Sequence, residues 1–259
     1  MITPAMVMVG AGVLGLCLGS FLNVCIYRLP RQRSIAYPAS RCPRCHRSLS
    51  WFDNVPLVSW LILRGRCRQC REPISWQYPI VEAATAILFV LVAAMTPLSV
   101  LLAARLVFTA ALIVLFVIDL EHQLLPNVIT LPGTVIGFVF SLAAPPGPID
   151  SVLGIILGGG ILYAIAAGYY LLRKEEGMGM GDVKMLAMIG AFLGWRAVFL
   201  TLILSSFTGA VVGVAMMASQ RGGLRYALPF GTFLAIAALV AMLVGEPLLD
   251  WYFSLYPPL

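Results

Sequence analysis

The sequence predicts an all-α polytopic membrane protein of about eight transmembrane helices, with one long polar insert after the first helix. Two features of composition point to this class: 61% of the 259 residues are apolar and only 11% are charged. Such a balance is typical of membrane proteins and excludes an ordinary water-soluble domain. The third observation is how the apolar residues are distributed: apolar runs recur along the whole chain, and only one long polar stretch interrupts them.

A helix needs about 20 apolar residues to cross a bilayer. Eight runs approach or exceed this length, and the sixth is the shortest: Pro4–Tyr27, Pro79–Met95, Pro97–Ile118, Val128–Ala144, Val152–Leu172, Val183–Trp195, Ala197–Ala218 and Tyr226–Val244. No Lys or Arg precedes Arg28, so the first run lacks the basic start of a secretory signal peptide. We expect it to be retained as a helix.

The chain accordingly divides into three predicted parts. Residues 1–28 form the first transmembrane helix, residues 29–78 form the polar insert, and residues 79–259 form a membrane bundle. The insert is rich in Arg, Pro, Ser and Cys, whereas the bundle is almost wholly apolar.

The basic residues predict the orientation of the chain. Ten of the 17 lie between Arg28 and Arg71, and cytoplasmic loops collect Lys and Arg. The insert is therefore predicted on the cytoplasmic side, and the later basic pairs lie on the same side: Arg173 with Lys174, and Arg221 with Arg225. Both termini then lie on the opposite side. The net charge of +6 fits an anionic lipid surface, so nucleic acid is not expected as a partner.

Four cysteines in the insert predict a metal site. Cys42 and Cys45 form one CxxC pair, and Cys67 and Cys70 form a second pair after 21 intervening residues. Each short spacer lets two sulfurs reach one ion, so two such pairs supply a tetrahedral set of four ligands for zinc. Four thiolates leave no position for water, so the predicted role of the metal is structural.

Two disulfides, or free thiols, are the alternative for these cysteines. The cytoplasm is a reducing environment, so disulfides are not favoured in a cytoplasmic loop. His46 follows the first pair and can replace a ligand, but four cysteines suffice, and we interpret it as a solvated loop residue. Cys17 and Cys25 lie in the first apolar run, where we expect small buried thiols.

Acidic residues within or beside apolar runs are costly and indicate function. Asp119 ends the third run in "VIDLEHQ", and Asp182 opens the sixth in "GMGMGDVK". Two runs lie between them, so the chain crosses the membrane out and back, and both aspartates are predicted on the cytoplasmic side. Two close carboxyl groups can share one proton, with one acting as general acid and the other as general base. Aspartic peptidases use such a pair of carboxyl groups for catalysis.

Each aspartate also has a simpler explanation. Asp182 can cap the start of its helix, and Asp119 can be an interfacial residue. Their shared side, beside the glycines at 177, 179 and 181, favours the catalytic pair, because such a loop lets an extended peptide backbone approach closely. Glu121 is two residues from Asp119 and points away on a helix, so we interpret it as solvated or orienting.

Seven ordered segments resemble the bacterial prepilin leader peptidases, which are bifunctional type IV prepilin peptidase/N-methyltransferases of the Gly-x-Gly-Asp membrane aspartic protease class. They are the paired CxxC motifs and the stretches "GSFLNVCIYRLP", "NVPLVSWLILRGRC", "ISWQYPIVEAATA", "IDLEHQLLPNVITLP", "GMGMGDVKMLAMIGAFLGW" and "PFGTFLA". The resemblance implies catalysis by Asp119 and Asp182, and zinc on Cys42, Cys45, Cys67 and Cys70.

The resemblance further implies a substrate and a place in the cell. Enzymes of this family lie in the bacterial inner membrane and remove the short basic leader of type IV prepilins and pseudopilins after a glycine, on the cytoplasmic face. They then methylate the new N-terminal amine with S-adenosylmethionine. The sequence contains no Gly-rich strand-turn-helix for that cofactor. Glu82 is our candidate for cofactor binding, and the alternative for Glu82 is a helix-end acid paired with a loop arginine.

Two other functions compete with a peptidase. A membrane scaffold that recruits partners through the zinc insert accounts for the cysteines but not for two acids on one side. A transporter or channel predicts acids near mid-span and broken helices, whereas both aspartates lie at the ends of their runs.

Overall fold

Most of the described chain is helical. The computed structural model describes residues 3–42, 44–175, 179–218 and 228–255. Its α-helices are α1 (Pro4–Arg28), α2 (Val58–Ile62), α3 (Gln77–Met95), α4 (Val100–His122), α5 (Asn127–Ser141), α6 (Pro148–Arg173), α7 (Met180–Ala218) and α8 (Phe230–Ser254). Among these described residues, extended pairing is limited to two isolated bridges in the insert, which confirms the all-α class. Glu176, Gly177, Arg221 and Arg225 lie outside the described residues.

Six of the described helices are long and apolar enough to cross a bilayer, namely α1, α3, α4, α6, α7 and α8. The apolar helix α5 has only 15 residues. Helix α7 has 39 residues and is interrupted at Gly194, whose φ of 79° and ψ of 174° are not helical. Because residues with a Cβ rarely adopt this φ, the glycine permits the break. Counting α5 and both halves of α7 gives about the predicted number of apolar segments.

The chain divides into two compact units, Met1–Val114 and Leu115–Leu259, with the boundary inside α4. In the first unit, α1 packs closely on α3 through two glycines. A Cβ on Gly15 would lie 2.7 Å from the Cα of Ala86, and one on Gly19 would lie 2.8 Å from the Cα of Glu82. The predicted boundaries at residues 28 and 78 stay predictions.

In the second unit, α7 packs against α5, α6 and α8. Its first half meets α6 at glycines on both helices, since a Cβ on Gly190 would overlap the carbonyl group of Gly154. Nearby, the Ser151 hydroxyl donates to the carbonyl oxygen of Ala191 at 2.8 Å. This close packing on α6 fixes the first half of α7, the part that carries Asp182.

Candidate active site and metal centre

Asp119 lies in the last turn of α4 and is only 4% exposed. Its Oδ2 atom accepts two hydrogen bonds from one residue of α8: the backbone N–H of Thr232 at 2.6 Å and the Thr232 hydroxyl at 3.0 Å. The second carboxylate oxygen, Oδ1, has no donor within the described part of the chain. Thr232 therefore fixes one oxygen of Asp119, and no donor from the described residues holds the other.

Asp182 is the third residue of α7, so it lies inside the helix and is not the residue that caps it. Its backbone N–H donates to the carbonyl oxygen of Gly179 at 3.2 Å. The side chain is half-buried, and among the described residues no hydrogen-bond donor reaches its carboxyl group. Asp182 thus differs from Asp119 in that no donor of the described residues holds either of its oxygens.

The fold brings the two aspartates together. The two carboxyl groups are close enough to interact electrostatically. A single side chain, Leu125, contacts both neighbourhoods: an added Cβ would lie 2.9 Å from Leu125 at Gly181 and 2.9 Å from it at Gly231. The end of α4 and the start of α7 therefore meet at one end of the second unit, as two intervening antiparallel helices require.

Each aspartate has a charged residue two positions further along its helix: Lys184 follows Asp182, and Glu121 follows Asp119. The Lys184 ammonium donates to Asn127 Oδ1 at 2.9 Å, which ties the first turns of α7 to the start of α5. Glu121 is exposed and lies 4.0 Å from His122. Its position agrees with a solvated residue.

Thr232 is a site residue that the sequence analysis missed. The segment "PFGTFLA" entered that analysis as a point of resemblance, but nothing in it suggested which residue matters. Residues 119 and 232 are far apart in the sequence, so no periodic pattern or motif spacing predicts their contact.

The four cysteines of the insert converge on one point. All four sulfur atoms lie within 4.8 Å of one another, and those of Cys42 and Cys70 are 3.8 Å apart. Four sulfurs around a zinc ion at about 2.3 Å stand about 3.8 Å apart at the corners of a tetrahedron. The cluster therefore fits zinc, and none of its four cysteines forms a disulfide, whose bond would be about 2.05 Å.

The two CxxC pairs are built alike. The N–H of Cys42 donates to Arg47 and that of Cys67 donates to Glu72, at 3.0 and 2.8 Å. The residue after each second cysteine, His46 or Arg71, has a positive φ of 57° or 59°. His46 is exposed and does not join the cluster. Two turns of similar geometry thus bring their sulfurs to one point.

Backbone groups favour the thiolate form that a metal needs. The N–H groups of Cys70 and Gln69 donate to the Cys67 sulfur and lower the pKa of that thiol to about 7. Hydrogen bonds to a charged group stabilise it. The thiolate form of Cys67 is therefore favoured near neutral pH, whereas desolvation and the neighbouring sulfurs raise the pKa of the Cys70 thiol to about 11.

Side chains outside the cysteine pairs brace the insert. Arg68 donates from two nitrogens to Asp53 Oδ1, at 2.9 and 2.8 Å. The rings of Trp60 and Trp76 have centroids 4.2 Å apart. These contacts tie the second cysteine pair to the segments on either side of it.

Glu82 lies on α3 and is 7% exposed. Its Oε2 atom accepts the backbone N–H of Leu57 at 2.8 Å, and the side chain of Ser20 also hydrogen-bonds to the carboxyl group. Within the described residues no arginine pairs with it. Glu82 therefore joins α1, α3 and the loop before α2.

Comparison with known proteins identifies the family. The model of the bacterial Peptidase A24 N-terminal domain matches residues 13–96, and that of the type IV leader peptidase family matches residues 106–214. The prepilin leader peptidase/N-methyltransferase of Aeromonas salmonicida is 40% identical, over 92% of this chain and 91% of its own length. The chain belongs to the type IV leader peptidase family.

Other relatives in the type IV leader peptidase family carry the same name. That of Pseudomonas putida is 39% identical over 94% of this chain and 92% of its own length. That of Myxococcus xanthus is 43% identical over 82% of this chain and 64% of its own length. No solved structure matches the chain.

Membership of the type IV leader peptidase family confirms the resemblance drawn from the sequence. The first family model covers all four clustered cysteines and Glu82, whereas the second covers both aspartates. With its apolar helices, the chain is a multi-pass membrane protein. The names of these relatives do not favour the scaffold alternative.

Proposed function

We propose that the chain is a bacterial inner-membrane prepilin leader peptidase that also methylates the N-terminus it creates. The observation that carries the peptidase half is the meeting of Asp119 and Asp182 at the ends of two apolar helices. The full-length similarity to prepilin leader peptidase/N-methyltransferases supports both halves.

In the proposed peptidase reaction, the aspartate pair shares one proton. The ionised carboxylate takes a proton from water, whose oxygen attacks the carbonyl carbon of the scissile bond, while the other carboxyl group donates its proton to the carbonyl oxygen. The tetrahedral intermediate then collapses, the C–N bond breaks, and the amine leaves with a proton from the pair. Asp119 acts through its free Oδ1, because Thr232 occupies Oδ2.

The substrates in this proposal are type IV prepilins and pseudopilins, cut after a glycine at the end of a basic leader. The apolar helix of the substrate docks against the bundle within the membrane lipid, and the leader stays in the cytoplasm. Glu175, exposed just after α6, is placed to attract the basic leader. Its neighbour Glu176, which shares this proposed role, lies outside the described residues.

We propose zinc on Cys42, Cys45, Cys67 and Cys70 with a structural role. Four thiolates complete a tetrahedral shell, so the metal cross-links the two turns and offers no open position. The insert contains few large buried side chains in its described part. Metal binding then supplies much of the free energy that folds it.

We assign cofactor binding for methyl transfer to Glu82. S-adenosylmethionine is the methyl donor in this proposal, and both its sulfonium group and the acceptor amine can be cationic. A buried carboxyl group without a basic partner is suited to a cation. Because the Leu57 N–H binds the same group, the loop before α2 lies beside this position.

The test is the intact mass of a purified prepilin, before and after incubation with the detergent-solubilised protein. Reactions run with and without S-adenosylmethionine, and with Asp119→Ala and Asp182→Ala variants. We expect loss of the leader mass only when both aspartates are present, and a further methyl-sized gain only with the methyl donor. A folded preparation that leaves several prepilins intact would overturn the peptidase proposal and favour the scaffold.

A further inference from the structure

Helix α8 contributes directly to the aspartate pair through its first turn. Thr232 is the third residue of α8 and is 6% exposed. Both of its donors, the backbone N–H and the hydroxyl, point to the same oxygen of Asp119, at 2.6 and 3.0 Å. These are long-range contacts between the end of one helix and the start of another.

The backbone part of this contact satisfies a need of α8 itself. The first four N–H groups of a helix have no partner within it, and the start of a helix carries a partial positive charge. The Asp119 carboxylate supplies the missing acceptor for one of those groups. The backbone bond therefore serves the stability of the helix, whereas the hydroxyl bond is additional.

Gly231 makes the approach possible. A Cβ at this position would lie 3.0 Å from both Cγ and Oδ2 of Asp119, and 2.9 Å from Leu125. Such distances are too short for ordinary van der Waals contact. The glycine thus lets the first turn of α8 lie directly against the carboxyl group.

We propose that Thr232 is the positioning residue for Asp119, and that its hydroxyl fixes the carboxylate so that Oδ1 faces the scissile bond. The proposal rests on the proposed peptidase function and extends it to a third helix. Asp182 receives no comparable support among the described residues. The first turn of α8 therefore makes one member of the pair rigid, while the other keeps its freedom to move.

The experiment compares Thr232→Val with Thr232→Ser in the purified full-length protein, with initial rates measured by intact mass of a prepilin. Valine keeps the shape and the N–H but lacks the hydroxyl, whereas serine keeps both donors. We expect kcat of the valine variant to fall about 10- to 100-fold, as for a lost hydrogen bond to a carboxylate. KM should change little, and serine should restore most of the lost kcat.

Thr208→Val is the matched control. Thr208 is exposed on α7, and its hydroxyl donates only to carbonyl groups of its own helix, those of Leu204 and Ser205. We expect wild-type kcat and KM for this variant. The melting temperature of every variant in detergent reports folding, and Thr232→Ala replaces the valine variant if valine lowers it.

The outcomes distinguish the positioning role of Thr232 from the proposed peptidase function. Full activity of folded Thr232→Val, or an equal loss in Thr232→Val and Thr232→Ser, overturns the positioning role while Asp119→Ala remains inactive. Cleavage by Asp119→Ala overturns the proposed function itself. A rise in KM alone would assign Thr232 to substrate binding and would also contradict the proposal.

Discussion

The cysteine cluster and the aspartate pair are built in opposite ways. The cluster arises from two short, equivalent turns within one insert, and hydrogen bonds inside each turn set the direction of its sulfurs. The aspartate pair arises from the ends of α4 and α7 and from the start of α8, which are far apart in the sequence. Local geometry thus determines the first site, and helix packing determines the second.

A pair of substitutions, Asp182→Asn and Cys67→Ser, tests most directly whether the two sites are independent. We expect Asp182→Asn to lower cleavage by about 10²- to 10⁴-fold, the range for a lost general acid or base. The same variant should keep about one equivalent of zinc per chain, since the metal shell is intact.

Cys67→Ser should show the reverse pattern. Bound zinc should fall toward zero, and the insert should become sensitive to limited proteolysis, because metal binding and folding are linked. Cleavage should persist, since the described aspartate pair is made from residues of Leu115–Leu259 only. Elemental mass spectrometry measures bound zinc, and the intact mass of the prepilin measures cleavage. Parallel loss of both in either variant would show that the two sites are not independent.

A smaller effect is expected from Gly190→Ala, which tests the packing on which the aspartate pair depends. The new methyl group would overlap the carbonyl group of Gly154, and overpacking of this kind costs about 1–3 kcal/mol. The melting temperature and cleavage rate should both fall, while bound zinc is unchanged. Gly160→Ala on α6 is the matched control, since a Cβ there meets nothing within 4 Å. An unchanged melting temperature in Gly190→Ala would contradict the role of this packing.

The smallest effect is expected from Glu82→Gln. Glutamine keeps the size of the side chain and an acceptor for the Leu57 N–H, but it removes the negative charge. Methyl transfer to a processed pilin peptide should fall about tenfold, as for a lost bond to a charged group, and cleavage should stay at the wild-type rate. An unchanged rate of methyl transfer in this variant would contradict a role for Glu82 in cofactor binding.

The sequence predicted the locally determined features best. The spacing of Cys42, Cys45, Cys67 and Cys70 was enough to predict their convergence, because each CxxC turn is a short-range structure. The apolar runs likewise predicted the helices, although the break in α7 falls at Gly194, within the predicted sixth run. That break depends on a backbone conformation that hydropathy does not report.

Features set by packing were predicted only in part. The out-and-back path of the chain placed Asp119 and Asp182 at the same end, but it could not predict that α8 would cover Asp119. The short helix α2 and the loop before it were also missed, because Leu57, the residue before α2, is held by a hydrogen bond to Glu82 on α3. Such contacts join residues whose separation in sequence follows no repeating period.

The hydrogen bond between Leu57 and Glu82 has a consequence for how the insert can be gained or lost. Glu82 is the sixth residue of α3, about 7.5 Å along the helix from its first residue. Excision of residues 29–78 would strand this carboxyl group on an apolar helix without its backbone donor, at a cost of several kcal/mol. Relatives that lack the insert should therefore carry a neutral or apolar residue at the position of Glu82, so that insert and acid appear and disappear together.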